Sequence, residues 1–336
     1  MKKERFNVAV VGIGAVGTEM VRLLRARRFP VERLTVMART SRVETIDGEP
    51  VEVVAAAPEA FDGVDFAFFA GTEGAKGASQ TLGRAAIERG VIVIDNGDDF
   101  RMDPKVPLVI PEINGEAAFA HQGMIANPNC STIIALMALA PLHRRAGLRR
   151  LIAATYQAVS GTGSAAVREL EAQVRAWVAG EPAAAEVYPC PIAFNALPAI
   201  GSVKDDSGAT SEEAKMSRET HKILGDDTIR IGATCVRVPV FNGHGEALHA
   251  EFREPLTAEE ARALLAEAPG VRLVDDMANQ VFPTPLECSG KTEVLVGRVR
   301  PDAALENGLA LFVCGDNIWK GAALNAIQIA ELLAAR

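Results

Sequence analysis

The stretch that most limits how this chain can fold runs from Phe6 to Leu24. A short apolar run, Phe6–Val11, breaks into Gly12-Ile13-Gly14-Ala15-Val16-Gly17 and is followed by a helical pattern with Met20, Val21, Leu23 and Leu24 on one face. Strand, G-x-G-x-x-G, helix is the context of a dinucleotide site: the glycines admit a pyrophosphate and the helix N-terminus receives its charge. The alternative is a tight β–α turn that binds nothing. Residues 64–69 and 91–95 are continuous apolar runs, as expected of buried parallel strands, with a helical stretch over 78–89 between them. This alternation predicts an α/β, doubly wound sheet from Phe6 to Asp95.

An NAD-binding fold places an acidic residue after its second strand, here Leu34–Met37. The chain instead reads Ala38-Arg39-Thr40-Ser41-Arg42. An arginine and hydroxyls suit a 2′-phosphate, so NADP is the expected cofactor, the alternative being a solvated loop. Arg101 follows the loop 96–100 beyond the carboxyl end of the strand at residues 91–95, where such folds bind ligands; it could hold a phosphate or sit in solvent.

Asn127-Pro128-Asn129-Cys130-Ser131-Thr132 leads into the apolar run Ile133–Ala140, which has the composition of a buried helix. Asn129, Ser131 and Thr132 favour helix N-termini. Cys130 then sits at the positive end of a helix dipole, where a thiolate is favoured and backbone N–H groups can receive an oxyanion. The competing reading is a buried structural cysteine, and the Pro-Asn-Cys-Ser-Thr turn favours the nucleophile.

A chain of 336 residues is expected to form two domains, and 49% hydrophobic with 23% charged residues makes it globular. The net charge of -8 argues against a nucleic-acid partner. Arg25, Arg27 and Arg28, and the group His143, Arg144, Arg145, Arg149 and Arg150, fall near expected helix ends. The five cysteines have no metal-ligand spacing, so no metal is expected. The N-terminus lacks a signal-peptide pattern and no run approaches the ~20 apolar residues of a membrane span. The expectation is a reduced, soluble, cytoplasmic protein.

In the second half, 151–159 reads as a strand and Ser160-Gly161-Thr162-Gly163-Ser164 as a loop that can approach a ligand closely. Residues 180–208 read as irregular surface or subunit-contact segments. A helix is expected from Thr210 to His221 with Ser211 as N-cap. Glu212 and Lys215 share a helical face, where an exposed pair would be a minor salt bridge. Residues 233–240 alternate like a strand whose Arg237 needs a partner, a substrate anion being one option. His244, between Gly243 and Gly245, is a candidate acid/base or an ordinary surface histidine. Residues 294–299 and 309–314 look like paired strands. The apolar closing helix, 322–333, needs a core, with the first domain as natural host.

Together these residues resemble the aspartate-semialdehyde dehydrogenase family from end to end. The markers are Asn127–Thr132, Tyr156-Gln157-Ala158-Val159-Ser160-Gly161, Asp316-Asn317 with Lys320–Asn325, Arg237–Val240 followed by Gly243-His244, and Phe100–Asp103. The resemblance implies NADPH-dependent reduction of β-aspartyl phosphate to aspartate semialdehyde through a cysteine thioester, reversibly, in a homodimer. It implies a Rossmann-like domain of residues 1–129 and 316–336 and a catalytic and dimerisation domain of residues 130–315. Cys130 would be the nucleophile, His244 the acid/base, and Gln157 would orient the acyl group. Arg101, Asn129, Glu212, Lys215 and Arg237 would bind substrate: Arg237 its α-carboxylate, Glu212 its amino group, Arg101 and Lys215 its phosphate. Gly12, Gly14, Ala15, Val16, Gly17, Arg39, Thr40, Ser160, Gly161 and Asn317 would line the NADP site. Two departures stand out: the first glycine loop is one residue shorter than the family's G-x-T-G-x-V-G, and Gly97-Asp98-Asp99 replaces a small Ser-Ser-Ala. The alternatives are a related N-acetylglutamyl-phosphate reductase or a non-catalytic paralogue.

Overall fold

The structure, a computed structural model, describes residues 3–70, 77–203 and 206–336. The chain divides into two compact units, Met1–Asn129 with Ala322–Arg336, and Cys130–Gly321.

In the first unit the strands are β1 (Phe6–Val11), β2 (Val31–Ala38), β3 (Arg42–Ile46), β4 (Glu49–Ala55), β5 (Phe66–Phe69), β6 (Ile92–Asp95) and β7 (Met124–Ala126). They form one sheet in the order β3-β4-β2-β1-β5-β6-β7. Every pairing is parallel except β3–β4, so the doubly wound reading holds. The β3–β4 hairpin was not anticipated, although Asp47-Gly48 signals it; both residues have positive φ, as a two-residue hairpin turn requires. Helices α1 (Ala15–Ala26), α2 (Ala78–Ile87) and the short α3 (Pro111–Asn114) belong to this unit. The last glycine of the motif has a steric purpose: a Cβ on Gly17 would lie 1.9 Å from the carbonyl oxygen of Gly12. Helix α1 can therefore pack against its entry loop only through a bare backbone.

The second unit contains α4 (Cys130–Ala146), β8 (Leu148–Gln157), α5 (Ser164–Ala179), α6 (Ser211–Leu224), β9 (Arg230–Arg237), β10 (His244–Phe252), α7 (Ala258–Glu267), β11 (Val271–Leu273), α8 (Pro285–Cys288), β12 (Val294–Pro301) and β13 (Gly308–Gly315). Its six-stranded mixed sheet runs β11-β12-β13-β10-β8-β9. Residues 131–140 of α4 are all buried, and over 133–140 the helix is apolar all round and forms the core element here. Strand β9 ends at Arg237, three residues short of the expected limit. Helix α6 is capped by Thr210, not Ser211: Thr210 and Glu213 exchange side-chain and backbone bonds as a capping box. Ser211 Oγ instead accepts the N–H of Ser202.

The closing helix α9 (Leu324–Ala334) returns to the first unit, two residues later than expected because a π-type turn occupies 319–323. Asn325 Nδ2 donates to Val109 O and Asn127 Oδ1, and Arg27 meets Glu331 with two bonds. The other basic clusters are also tied to carboxylates, Arg25 to Glu49 and both Arg149 and Arg150 to Glu251. None of the described helices is long and apolar enough to cross a membrane.

The glycine contacts give a direct test. Gly17→Ala must displace backbone and should cost about 1–3 kcal/mol, lowering Tm by several degrees. Gly14→Ala, with nothing within 4 Å of the added Cβ, should melt near wild type in the same scan.

Candidate active site

Sheet register assembles the site in the second unit. Strands β8 and β9 are parallel with Gln157 opposite Arg237, and β10 lies antiparallel between β8 and β13 with His244 opposite Gly315. Gly315, His244, Gln157 and Arg237 therefore form one row across four strand ends. Cys130 opens α4 beside this row, and its Sγ lies 3.4 Å from His244 Nε2. Gly321 makes room for it, since a Cβ there would come within 2.8 Å of the Cys130 Cβ.

His244 is fully buried, which overturns the surface alternative. Its flanking glycines do not expose it; they let neighbours close in, Pro285 and Cys288 on Gly243 and Phe312 on Gly245. Its Nδ1 accepts the backbone N–H of Ala158 at 3.0 Å. Burial, then the positive charge of Arg237, hold its pKa well below the ordinary histidine value, so the ring is neutral.

Gln157 is the crosslink of the site, donating from Nε2 to Ser131 Oγ at 2.6 Å and to Glu212 Oε1 at 3.1 Å. Glu212 is buried, not a surface residue, and its other oxygen lies 3.9 Å from Lys215 Nζ. Arg237 donates from Nη1 to Ala158 O at 2.7 Å. Gln157 Oε1 and Arg237 Nε are buried with no protein partner, so the row offers one acceptor and one donor to a ligand. A Cβ on Gly161 would lie 2.9 Å from Arg237 Nη1 and 3.3 Å from His244 Cε1, so a side chain there would displace one of these two groups.

Ser160 and Asn317 also meet in this unit. Asn317 Nδ2 donates to Ser160 Oγ, and Asn317 Oδ1 accepts the N–H of Gly243, fixing the turn into His244. The sequence reading gave no role to Asp316, which is buried and accepts from Asn242 Nδ2 and the N–H groups of Gly290, Ile318 and Trp319. Its place in the Asp316-Asn317 marker was the available signal. Of the other cysteines, Cys235, Cys288 and Cys314 are buried and burial raises their thiols, Cys288 to about 12. Among the described residues no group of His, Cys, Asp and Glu could hold a metal.

The remaining expected site residues lie in the first unit. Arg101 is buried, not solvated, and donates from Nε to Asn127 O and from Nη2 to Asn96 O. Asn129 is buried at the unit's end. Gly12 and Gly14 lie in the β1–α1 turn, and Ala15, Val16 and Gly17 open α1. The N-terminus of α1 carries no side-chain cap and no acidic residue in its first turn, and Gly14 faces open space, so it fits a dinucleotide phosphate. Arg39 and Thr40 are exposed after β2, while Ser41 Oγ accepts the Ala55 N–H.

One carboxyl was overlooked. Glu246 shares the face of His244 two residues along β10; it is fully buried and both oxygens lack a protein partner. Burial, then the charge of Glu212, raise its pKa well above the ordinary carboxylate range. A carboxyl raised on folding costs nothing where both states are protonated, and its cost grows as pH climbs above the unfolded value. Glu246→Gln should therefore gain stability over wild type progressively from about pH 5 to pH 8, read as a widening Tm difference.

Residues 7–121 match the semialdehyde dehydrogenase NAD-binding domain, and residues 139–320 the semialdehyde dehydrogenase dimerisation domain. The aspartate-semialdehyde dehydrogenases of a Synechocystis species and of Aquifex aeolicus are each 45% identical, over 98% of this chain and 98% of the relative. The crystal structure of aspartate semialdehyde dehydrogenase II from Vibrio cholerae complexed with ASA superposes with TM-score 0.93 at 42% identity, covering 99% of both chains.

Proposed function

The chain belongs to the aspartate-semialdehyde dehydrogenase family, and on that premise we propose that it reduces β-aspartyl phosphate to aspartate semialdehyde, reversibly, through a thioester on Cys130. The observation that carries the reading is the Cys130 sulfur at a helix N-terminus, 3.4 Å from a buried, neutral His244.

Attack of the Cys130 thiolate on the acyl carbon expels phosphate and leaves the thioester. NADPH, when bound, supplies the hydride that reduces it. The uncapped N-terminus of α1 is where this chain would hold the cofactor's phosphates, and Arg39 with Thr40 would take the 2′-phosphate in place of an acidic ribose reader. Ser160, Gly161 and Asn317 are proposed for the same cofactor. Gln157 orients the acyl group, Arg237 takes the α-carboxylate and Glu212 the ammonium. Lys215, Arg101 and Asn129 are proposed for the phosphate end of the substrate. A buried carboxylate suits a free ammonium and offers an N-acetylated substrate no ionic partner, which favours aspartyl over N-acetylglutamyl phosphate.

We place the enzyme in the cytoplasm as a homodimer: the mechanism needs a reduced cysteine, and the second unit matches a dimerisation domain. The division at Cys130 is proposed to leave the glycine turn with Arg39 and Thr40 in the first unit and the catalytic residues Cys130, Gln157 and His244 in the second.

The test is phosphate-dependent reduction of NADP, against NAD, by aspartate semialdehyde. Turnover preferring NADP supports the reading, while equal use of N-acetylglutamate semialdehyde refutes the substrate assignment. Glu212→Gln should lower kcat/KM by one to two decades, about 1.5–3 kcal/mol, with cofactor affinity unchanged in a direct titration.

A further inference from the structure

We propose that Asp316 is a positioning residue for the cofactor side of the site. Through Asn242 it fixes the direction of the Ser160 hydroxyl, so that Ser160 meets a bound cofactor as an acceptor and Asn317 meets it as a donor. This deepens the dehydrogenase reading above and rests on it.

The polarity follows from groups that can play only one part. Asp316 Oδ1 accepts the backbone N–H groups of Ile318 and Trp319 at 2.9 and 2.8 Å, and Oδ2 accepts that of Gly290 at 2.7 Å. A carboxylate only accepts, so the Asn242 atom 2.7 Å from Oδ2 is its amide nitrogen. The Asn242 carbonyl oxygen is thereby turned to Ser160 Oγ, at 3.0 Å. The N–H of Gly243 only donates, so the Asn317 atom it meets at 2.9 Å is the carbonyl oxygen. Asn317 Nδ2 is then the atom that donates to Ser160 Oγ at 2.9 Å. Asn317 Oδ1 also lies 3.3 Å from Ser160 Oγ, but that contact is the longer one and the oxygen already holds Gly243. The single hydroxyl proton of Ser160 therefore goes to Asn242. One lone pair of Ser160 and one N–H of Asn317 are left to face a ligand.

The ring of bonds is closed by the fold. Asn242 and Gly243 lead into β10, Asp316 and Asn317 follow β13, and Ser160 follows β8, three strands that are neighbours in the sheet. Asp316, Asn317 and Ser160 are all buried. The second amide proton of Asn242 is taken by Ser289 Oγ at 2.8 Å. Turning either amide over would set donor against donor in this setting, and no water-facing alternative is open to Asn317.

The test uses the whole enzyme with NADPH as the probe. Asp316→Asn must place its amide nitrogen on the Oδ2 side, because two backbone N–H groups face Oδ1 and only one faces Oδ2. Asn242 then turns its carbonyl toward that nitrogen, and the Ser160 hydroxyl loses its acceptor. Direct titration should show the Kd for NADPH raised about 3–10-fold, with the KM for aspartate semialdehyde within about twofold of wild type. A parallel rise in that KM marks general disruption and overturns the proposal. Combining Asp316→Asn with Asn242→Asp moves the carboxylate one step along the relay and gives Ser160 its acceptor back. This double variant should recover the wild-type Kd while its Tm stays low, since the N–H of Gly290 still faces an amide. A double variant that binds as weakly as Asp316→Asn overturns the relay. Asn242→Ala keeps the three backbone bonds of Asp316 and decides the matter if Asp316→Asn does not fold: it should raise the Kd by the same factor, and an unchanged Kd overturns the proposal. A wild type that does not bind NADPH refutes the cofactor reading and this inference together, a result distinct from wild type and variants binding alike.

Discussion

One residue with an unremarked side chain holds the site together. Ala158 gives its N–H to His244 and its carbonyl to Arg237, so a single backbone position sets both an imidazole and a guanidinium. It can do so because β8 ends at Gln157, where the ladder no longer claims these groups. Buried backbone groups at a strand end must find partners, and here the partners are the site's own side chains. Reorienting any one of the three residues would leave a buried polar atom unsatisfied, at a cost of about 1–3 kcal/mol.

The same economy runs through the polar network above that row. Gln157 uses both amide protons on Ser131 and Glu212, joining α4, β8 and α6 through one side chain. Its orientation is thereby assigned, and its oxygen is turned out as an acceptor. Glycines at 161, 315 and 321 are equally necessary: each lies where a Cβ would meet a site side chain or α4 within 3 Å. A polar site with three such close approaches depends on backbone packing as much as on its functional groups.

The first unit uses glycine and arginine differently. Gly17 brings α1 against its entry loop and leaves the helix N-terminus open to an anion. Arg101 braces the β6 and β7 ends by donating to the carbonyls of Asn96 and Asn127. Asn127 in turn accepts from Asn325, so the last helix is pinned to the strand end that leads toward Cys130.

What the sequence determined on its own was local. The β1–glycine–α1 unit, the parallel strands and the apolar run 133–140 of α4 were legible because glycine conformation and hydrophobic period act over a few neighbouring residues. End-to-end resemblance added residue roles that periodicity could not reach. The tertiary structure decided which of those residues meet. His244 read as a glycine-flanked turn, and only the insertion of β10 between β8 and β13 buried it against Cys130. Glu212 read equally well as half of a surface salt bridge until Gln157, on a distant strand, reached it. The neutral His244 and the raised Glu246 depend on sheet register and burial. Those are properties of chain segments far apart in sequence, set by long-range packing that no local pattern encodes.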